Sequence, residues 1–326
     1  MFSLTLSSKQ TIGIQIKDHV IRYVATKGPS FTNVDNFGEK HVPMGVIEKG
    51  KIVDGARFQQ LLEECVQDWK LKNKEIMFFI PDSSVFFRKL SIPANLEEED
   101  IRGYLNFEIG ASIHLPFDDA YFDFHILEKE SEIVESRDIL FFATPEEQVL
   151  EYSKKLENAK LKPIVADIGG LSLYRYFEQS IEAADEQHFL FIEWSLTSIN
   201  ISIFHQDVPI FMRHLAYNLG KDDVSIHLEE GMIKYEFKNK LKIDGDIDDQ
   251  LLEIERVMNF YKYSMHQGTK EITNMILLGD HPMLFTTIKE KVSSLNSPAT
   301  LKVMEKVRND IPDQYLLPLS LCLKEV

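Results

Sequence analysis

The sequence predicts an α/β fold of two similar lobes with a smaller α/β unit inserted between them. Three observations predict it. A strand, a tight polar turn and a second strand at Thr11–Ala25 recur at Phe189–His205, and a third strand follows each, Phe31–Phe37 and Val208–Leu215. Residues 84–161 alternate strands and helices by themselves between those two meanders. The chain of 326 residues, 44% hydrophobic and 27% charged, has the length and apolar content for two lobes with cores of their own.

After the first meander, His41–Asp54 is rich in turn residues. Phe58, Leu61, Leu62, Cys65, Val66 and Trp69 then fall at helical spacing on one face. Glu75–Ile80 reads as a buried strand stopped by Pro81 and Asp82. In the inserted unit, Ser84–Ile92 is a strand. Leu96–Gly110 is a helix with Glu97, Glu98, Glu99 and Asp100 in its first turn, where carboxylates favour the positive helix end. Tyr121–Leu127 and Asp138–Ala143 are strands. Thr144-Pro145-Glu146-Glu147 reads as a capping box with proline at the first helical position, opening a helix to about Ala159. The second meander leads into a charged helical region, Asp222–Asp249, and a long amphipathic helix to about His266 carrying Leu252, Ile254, Val257, Met258 and Tyr261. Strand Ile272–Leu278, helix Pro282–Val292, strand Leu301–Val307 and an apolar segment, Tyr315–Leu323, complete the order.

A β-meander repeated in two halves is how a two-lobed, actin-like nucleotide-binding fold begins each lobe. There the turns cradle phosphates, which takes glycine for close backbone approach and an acidic residue for metal or water. Here they read Ile16-Lys17-Asp18-His19 and Trp194-Ser195-Leu196-Thr197, with no glycine in either. The fold is expected to be present and its phosphate chemistry removed.

A formal net charge of -16 argues against non-specific nucleic-acid binding and against direct adsorption to anionic lipid, both of which use clustered Lys and Arg. No stretch has the length of a membrane span, and the N-terminus lacks a signal-peptide core. Cys65 and Cys322 lie in apolar stretches, so neither a disulfide framework nor a thiolate metal site is expected. The chain reads as cytoplasmic.

Seven segments, in order along nearly the whole chain, resemble the PilM proteins of type IV pilus assembly. Gly13-Ile14-Gln15-Ile16 resembles the family's G-I-D-I-G-S opening, and Phe87-Arg88-Lys89-Leu90-Ser91-Ile92-Pro93 its R-x-I-x-L-P. Asn106-Phe107-Glu108 with His114-Leu115-Pro116-Phe117 is similar to W-E-A followed by I-P-F. Leu161–Asp167, Val208–Arg213 and Leu277-Leu278-Gly279 continue the match. The resemblance implies an FtsA-like variant of the actin-like (ribonuclease H-like) fold. Its first lobe would be 1–83 with 162–187, its inserted subdomain 84–161, and its second lobe 188–223 with 271–326 around a subdomain at 224–270. The departures fall on the nucleotide motifs. Gln15, Lys17 and Asp18 stand in the first phosphate loop, Glu193-Trp194-Ser195-Leu196 in the second, and Gly279-Asp280-His281 at the adenosine side. Trp194 is expected to crowd a phosphate and Asp280 to repel one. No cofactor is expected, ATP and magnesium included, and no catalysis.

Other motifs have plain readings. Asp167-Ile168-Gly169-Gly170 looks like a phosphate loop but reads better as a strand-to-helix turn with an aspartate cap. Asp244, Asp246, Asp248 and Glu255 have calcium-loop spacing, yet Asp249 stands where the loop needs glycine, and these residues suit an acidic helix N-terminus. His114, His125, His205, His214 and His281 lack metal spacing and read as strand-edge or surface residues. Ser83, Ser84 and Ser195 lack the G-x-S-x-G elbow.

The resemblance implies a cytoplasmic scaffold that binds the N-terminal tail of a bitopic membrane protein, PilN, in a cleft of the first lobe and the inserted subdomain. Membrane association would then be indirect, and the pilus motor ATPase a further partner. Phe87, Arg88, Pro93, Glu108, Pro116 and Phe117 are the candidate tail contacts, because 81–92 and 108–117 bound that junction. The alternative is an ATP-binding actin-like switch, against which both turns speak. An FtsA-like polymerising protein is a third reading, and it expects an amphipathic helix beyond Val326.

Overall fold

The computed structural model describes residues 10–127, 136–180, 187–217, 219–220, 222–229, 231–304 and 311–325. Ser84–Lys155 forms one unit, and Met1–Ser83 with Leu156–Val326 forms the other.

The larger unit opens with an antiparallel meander of β1 (Gln10–Ile16), β2 (Val20–Lys27) and β3 (Val34–His41). Ile14 pairs Tyr23 across β1 and β2, and every residue of β2 up to Thr26 is buried, Arg22 among them. A small hairpin, β4 (Ile47–Glu48) and β5 (Lys51–Ile52), precedes α1 (Gly55–Asp68). Asp54 caps α1 by accepting from the Arg57 amide at 2.9 Å. The helix buries Phe58, Leu61, Leu62, Cys65 and Val66 of the predicted stripe, while Trp69, also expected on it, is the half-buried C-cap. β6 (Glu75–Phe79) then runs parallel to β1.

The smaller unit contains β7 (Phe86–Pro93), α2 (Glu98–Glu108), β8 (Ala120–Ile126) and β9 (Ser136–Pro145), and α3 (Glu146–Asn158) starts in it. Its sheet order is β7-β9-β8. Ile101 and Leu105 of α2 pack on Ile92, Ile139 and Phe141. Pro145 belongs to β9, paired with Ala120, and Thr144 Oγ1 donates to Ser84 Oγ at 3.2 Å. The expected capping box with proline inside the helix is therefore corrected: α3 begins one residue later.

β10 (Lys162–Asp167) returns parallel to β6, and α4 (Gly169–Ser180) follows directly. Here 167–170 is a strand-to-helix turn, and Asp167 sits in ion pairs with Arg175 and Lys324 at 3.3 Å each. The second lobe repeats the first. β11 (His188–Trp194), β12 (Ser198–His205) and β13 (Val208–Ala216) form its meander.

The region expected to be helical from Asp222 instead starts with a hairpin, β14 (Val224–Glu229) and β15 (Met232–Phe237). Ile233, Tyr235 and Phe237 alternate inward, and Gly231 turns the chain at φ 79°. α5 (Lys240–Asn259) follows, capped by Asn239, and continues as π-helix over Phe260–Met265. Its buried stripe is Ile243, Ile247, Leu251, Ile254 and Val257, so Leu252 is exposed rather than on the apolar face. Asp244, Asp246 and Asp248 lie inside this helix, which excludes a calcium loop there and places them past its first turn.

β16 (Asn274–Gly279) pairs parallel to β11. A π-helical turn (Leu284–Ile288) and α6 (Lys289–Ser293) lead to β17 (Thr300–Val303). The end of the strand expected to reach Val307 lies outside the described residues. The sheet orders are β3-β2-β1-β6-β10 and β13-β12-β11-β16-β17, the same topology twice.

One core joins these sheets. It holds Val24, Met77 and Phe79 of the first, Phe189, Phe191, Phe204 and Ile276 of the second, and Leu173 and Phe177 of α4. Into it packs α7 (Leu316–Leu321), every residue of which is buried. Gly13 of β1 leaves room for it, since a Cβ there would stand 2.3 Å from the Pro318 carbonyl oxygen. Cys322 Sγ lies 3.8 Å from the Thr11 carbonyl oxygen. No described helix is long and apolar enough to cross a membrane.

Candidate functional site

Each meander places its first turn at the junction of the lobes. The β1–β2 turn closes with the Lys17 amide on the Val20 carbonyl, and the β11–β12 turn with the Ser195 amide on the Ser198 carbonyl, both at 2.8 Å. Side chains then bridge the turns. Lys17 Nζ donates to Glu193 Oε1 and, at 3.0 Å, to Ser195 Oγ. Ser195 Oγ donates to Asp280 Oδ1 at 2.7 Å. Asp280 Oδ2 accepts from His19 Nε2 at 2.9 Å and from Arg22 Nη1 at 2.5 Å. Arg22 Nε donates to Glu39 Oε2 at 2.8 Å, and Glu39 also receives the Ile233 amide and Gln314 Nε2.

A second strand of the same network runs through Asn200. Its Nδ2 donates to Asp82 Oδ2 at 2.8 Å and to Glu193 Oε2 at 2.7 Å, while its Oδ1 accepts from His214 Nδ1 at 2.7 Å. Arg22 and Glu39 side chains are at most 2% exposed, and those of His19, Asp280, Glu193 and Lys17 at most 11%. Charges so buried are stable only when paired and hydrogen-bonded. Here each has a partner.

The electrostatics follow from that packing. Burial works against the charge of Asp280, but His19, Arg22 and Lys17 outweigh it and hold this carboxyl well below its usual range. Burial likewise opposes the Lys17 ammonium, and Glu193 and Asp280 more than compensate, raising its pKa. Asp82 goes the other way. Burial and the nearby Glu193 carboxylate push it up to about 7, against the pull of Lys17 and Asn200.

The seven positions expected to be altered nucleotide contacts fall at this junction and beside it. Lys17, Glu193, Ser195 and Asp280 form the network itself. Asp18 accepts the Lys49 and Gly50 amides at 2.6 and 2.9 Å. Gln15, whose buried Oε1 has no protein partner, lines a cavity of about 50 Å³ with Asp82 and His214. That is room for ordered water. Gly279 pairs Trp194 with φ 135°, and a Cβ there would lie 2.0 Å from the Trp194 carbonyl oxygen.

Two expectations are corrected. Trp194 is fully buried in the second lobe's core and crowds nothing at the turn, because its strand alternation points it inward. His281 is 4% exposed and accepts the Met283 amide, so it is no surface residue, and burial lowers its pKa to about 4. Glu39 and Asn200 went unmarked by the sequence, in which His19 stood only as a turn residue and Asp82 only as a strand stop. Arg22 carried a signal, a lone cation inside the apolar run of β2.

The candidate tail contacts all lie in the smaller unit. Phe87 packs on Phe142 at 4.9 Å, and the Arg88 guanidinium lies over Phe86 at 5.3 Å, so the two leave opposite faces of β7. Pro93 ends β7, Glu108 ends α2 and receives the Ser112 hydroxyl, Pro116 is exposed, and Phe117 packs on the unit's core.

The sequence profile described as "Type IV pilus assembly protein PilM" matches residues 13–222. The chain belongs to the PilM family. Membership assigns it to type IV pilus assembly. Among solved structures, one titled "PilM-PilN type IV pilus biogenesis complex" is similar at TM-score 0.73 and 16% identity, over 96% of this chain and 97% of that one. EutJ of Carboxydothermus hydrogenoformans gives TM-score 0.54 at 11% identity over 96% and 89%. A Bacteroides thetaiotaomicron protein with an actin-like ATPase fold gives 0.50 at 12% over 98% of each chain. These neighbours place the PilM-family chain in the actin-like fold. No curated protein matches it.

Proposed function

We propose that this PilM-family protein is a non-catalytic cytoplasmic scaffold of the pilus inner-membrane platform, holding the N-terminal tail of a PilN-like bitopic membrane protein. One observation carries the non-catalytic part: Lys17 is bonded to Glu193 and Ser195, so the second turn's polar groups are engaged by the first turn's own cation. A phosphate brought there would meet Glu193 and Asp280 and would have to break buried ion pairs. Membership of the family and likeness to a PilM–PilN structure support the tail as ligand. In the smaller unit β7 and β8 flank β9, so each offers an edge to an extended peptide. Phe87, Arg88, Pro93, Glu108, Pro116 and Phe117 remain its candidate contacts. The motor ATPase is a further proposed partner, and membrane attachment is through partners.

Calorimetric titration with Mg-ATP, with thermal unfolding alongside, tests the first part. A ligand at 100 times its Kd adds about 2.7 kcal/mol, a visible melting shift. No heat and no shift is expected. Saturable binding would replace this reading with the nucleotide switch. Co-purification with the partner's tail tests the second part.

A further inference from the structure

On the smaller unit, Phe117, Pro145 and Leu150 are the apolar lining of an open groove of about 750 Å³. Its rim carries Asp118, Asp119, Glu146, Glu147 and Glu151, with Lys154 the single cation. Local structure explains the assembly. The Glu146 amide donates to the Asp119 carbonyl at 3.1 Å, which ties the loop before β8 to the start of α3. Glu147, Glu151 and Lys154 then recur at helical spacing, with Leu150 beside them and 50% exposed.

The charge on this rim is largely uncompensated. None of the five carboxylates is in an ion pair among the described residues. The helix end offsets part of the charge on Glu146 and Glu147. Asp118, Asp119 and Glu151 have no such relief. Apolar side chains set among unpaired carboxylates match a ligand of one chemistry, a bulky apolar side chain flanked by cations. Cytoplasmic segments beside membrane spans carry an excess of Lys and Arg.

We propose that this groove takes a stretch of the partner's cytoplasmic tail in which Lys or Arg residues flank one bulky apolar side chain. The inference rests on the tail-binding reading above. It adds the tail's charge and the surface that reads it.

The test uses the full chain and a fluorescein-labelled peptide of a PilN-like tail, followed by polarisation at about 50 and 200 mM salt. The double reversal E147K/E151K and the truncation Leu150→Ser change exposed residues, and an unchanged Tm checks their folding. The reversal is expected to weaken binding about tenfold or more, and higher salt to weaken wild type and not the reversal. Leu150→Ser should cost several-fold, and a tail with Lys and Arg changed to Gln should bind wild type as poorly as the reversal. Equal binding to wild type and reversal overturns the groove and leaves the tail reading standing. No binding of the tail to any chain overturns the tail reading and the groove with it.

Discussion

The two lobes share a topology strand for strand, yet cations of the first meet carboxylates of the second at their junction. Lys17, His19 and Arg22 come from the first meander, and Glu193 and Asp280, which they meet, come from the second sheet. Equivalent turns of a repeated scaffold are bonded to each other, Lys17 of the first to Glu193 and Ser195 of the second. In an actin-like fold the lobes meet around phosphate and metal. Here the charges that meet at the junction are paired within the chain, Lys17 with Glu193 and His19 and Arg22 with Asp280.

Breaking that complementarity at its most buried point should have the largest effect. Arg22→Met would strand Asp280 and Glu39 without their cation and cost about 3–5 kcal/mol by denaturant unfolding. Adding D280N and E39Q to it should recover much of the loss, because the two carboxylates left without Arg22 are then neutral. A single variant as stable as wild type would show the network to be idle. Next comes Gly279→Ala, where φ 135° and the Trp194 carbonyl at 2.0 Å predict a loss of about 3 kcal/mol. Lys17→Met removes the direct bridge between turns and should cost about 2 kcal/mol. The exchange Lys17→Glu with Glu193→Lys should restore part of it, and failure to do so would mean the turns are not coupled through this pair.

The smallest effect is the most diagnostic. Asp82 is raised to about 7 from 3.8, so between those values the folded chain keeps a proton that the unfolded chain gives up. Its contribution is full below pH 4 and is lost as pH rises towards 7. His188 and His281, lowered to about 4 by burial, act oppositely and lose stability as pH falls from 6.5. Asp82→Asn isolates the first term. Its Tm should match wild type near pH 4 and exceed it above pH 7, by about 2–4 °C per kcal/mol. A constant offset across pH would sink the assignment.

Much of the fold was legible because strands and tight turns are local. Apolar runs such as Phe189–Ile192 and the helix stripe from Phe58 to Val66 announce themselves by period. The hairpin at Val224–Phe237 was hidden by its charges, although Ile233, Tyr235 and Phe237 keep a period of two. The junction was legible only as missing glycines. Lys17 and Glu193 are 176 positions apart and Arg22 and Asp280 are 258 apart, so nothing local pairs them. Arg22 inside an apolar strand required a buried partner but could not name it.

The helix at Leu316–Leu321 has a consequence for how the molecule is made. It fills the space beside Gly13, more than 300 positions earlier in the chain, and Cys322 reaches the Thr11 carbonyl across a separation of 311. The first meander therefore leaves the ribosome with one side of its sheet uncovered. The part of that side covered by α7 stays open until residue 323 has been synthesised, about 15 s or more later at ordinary elongation rates. Through that interval the apolar face of β1 and β2 is a surface for chaperones, and a ribosome stalled before Leu316 would release a chain unable to seal its first lobe.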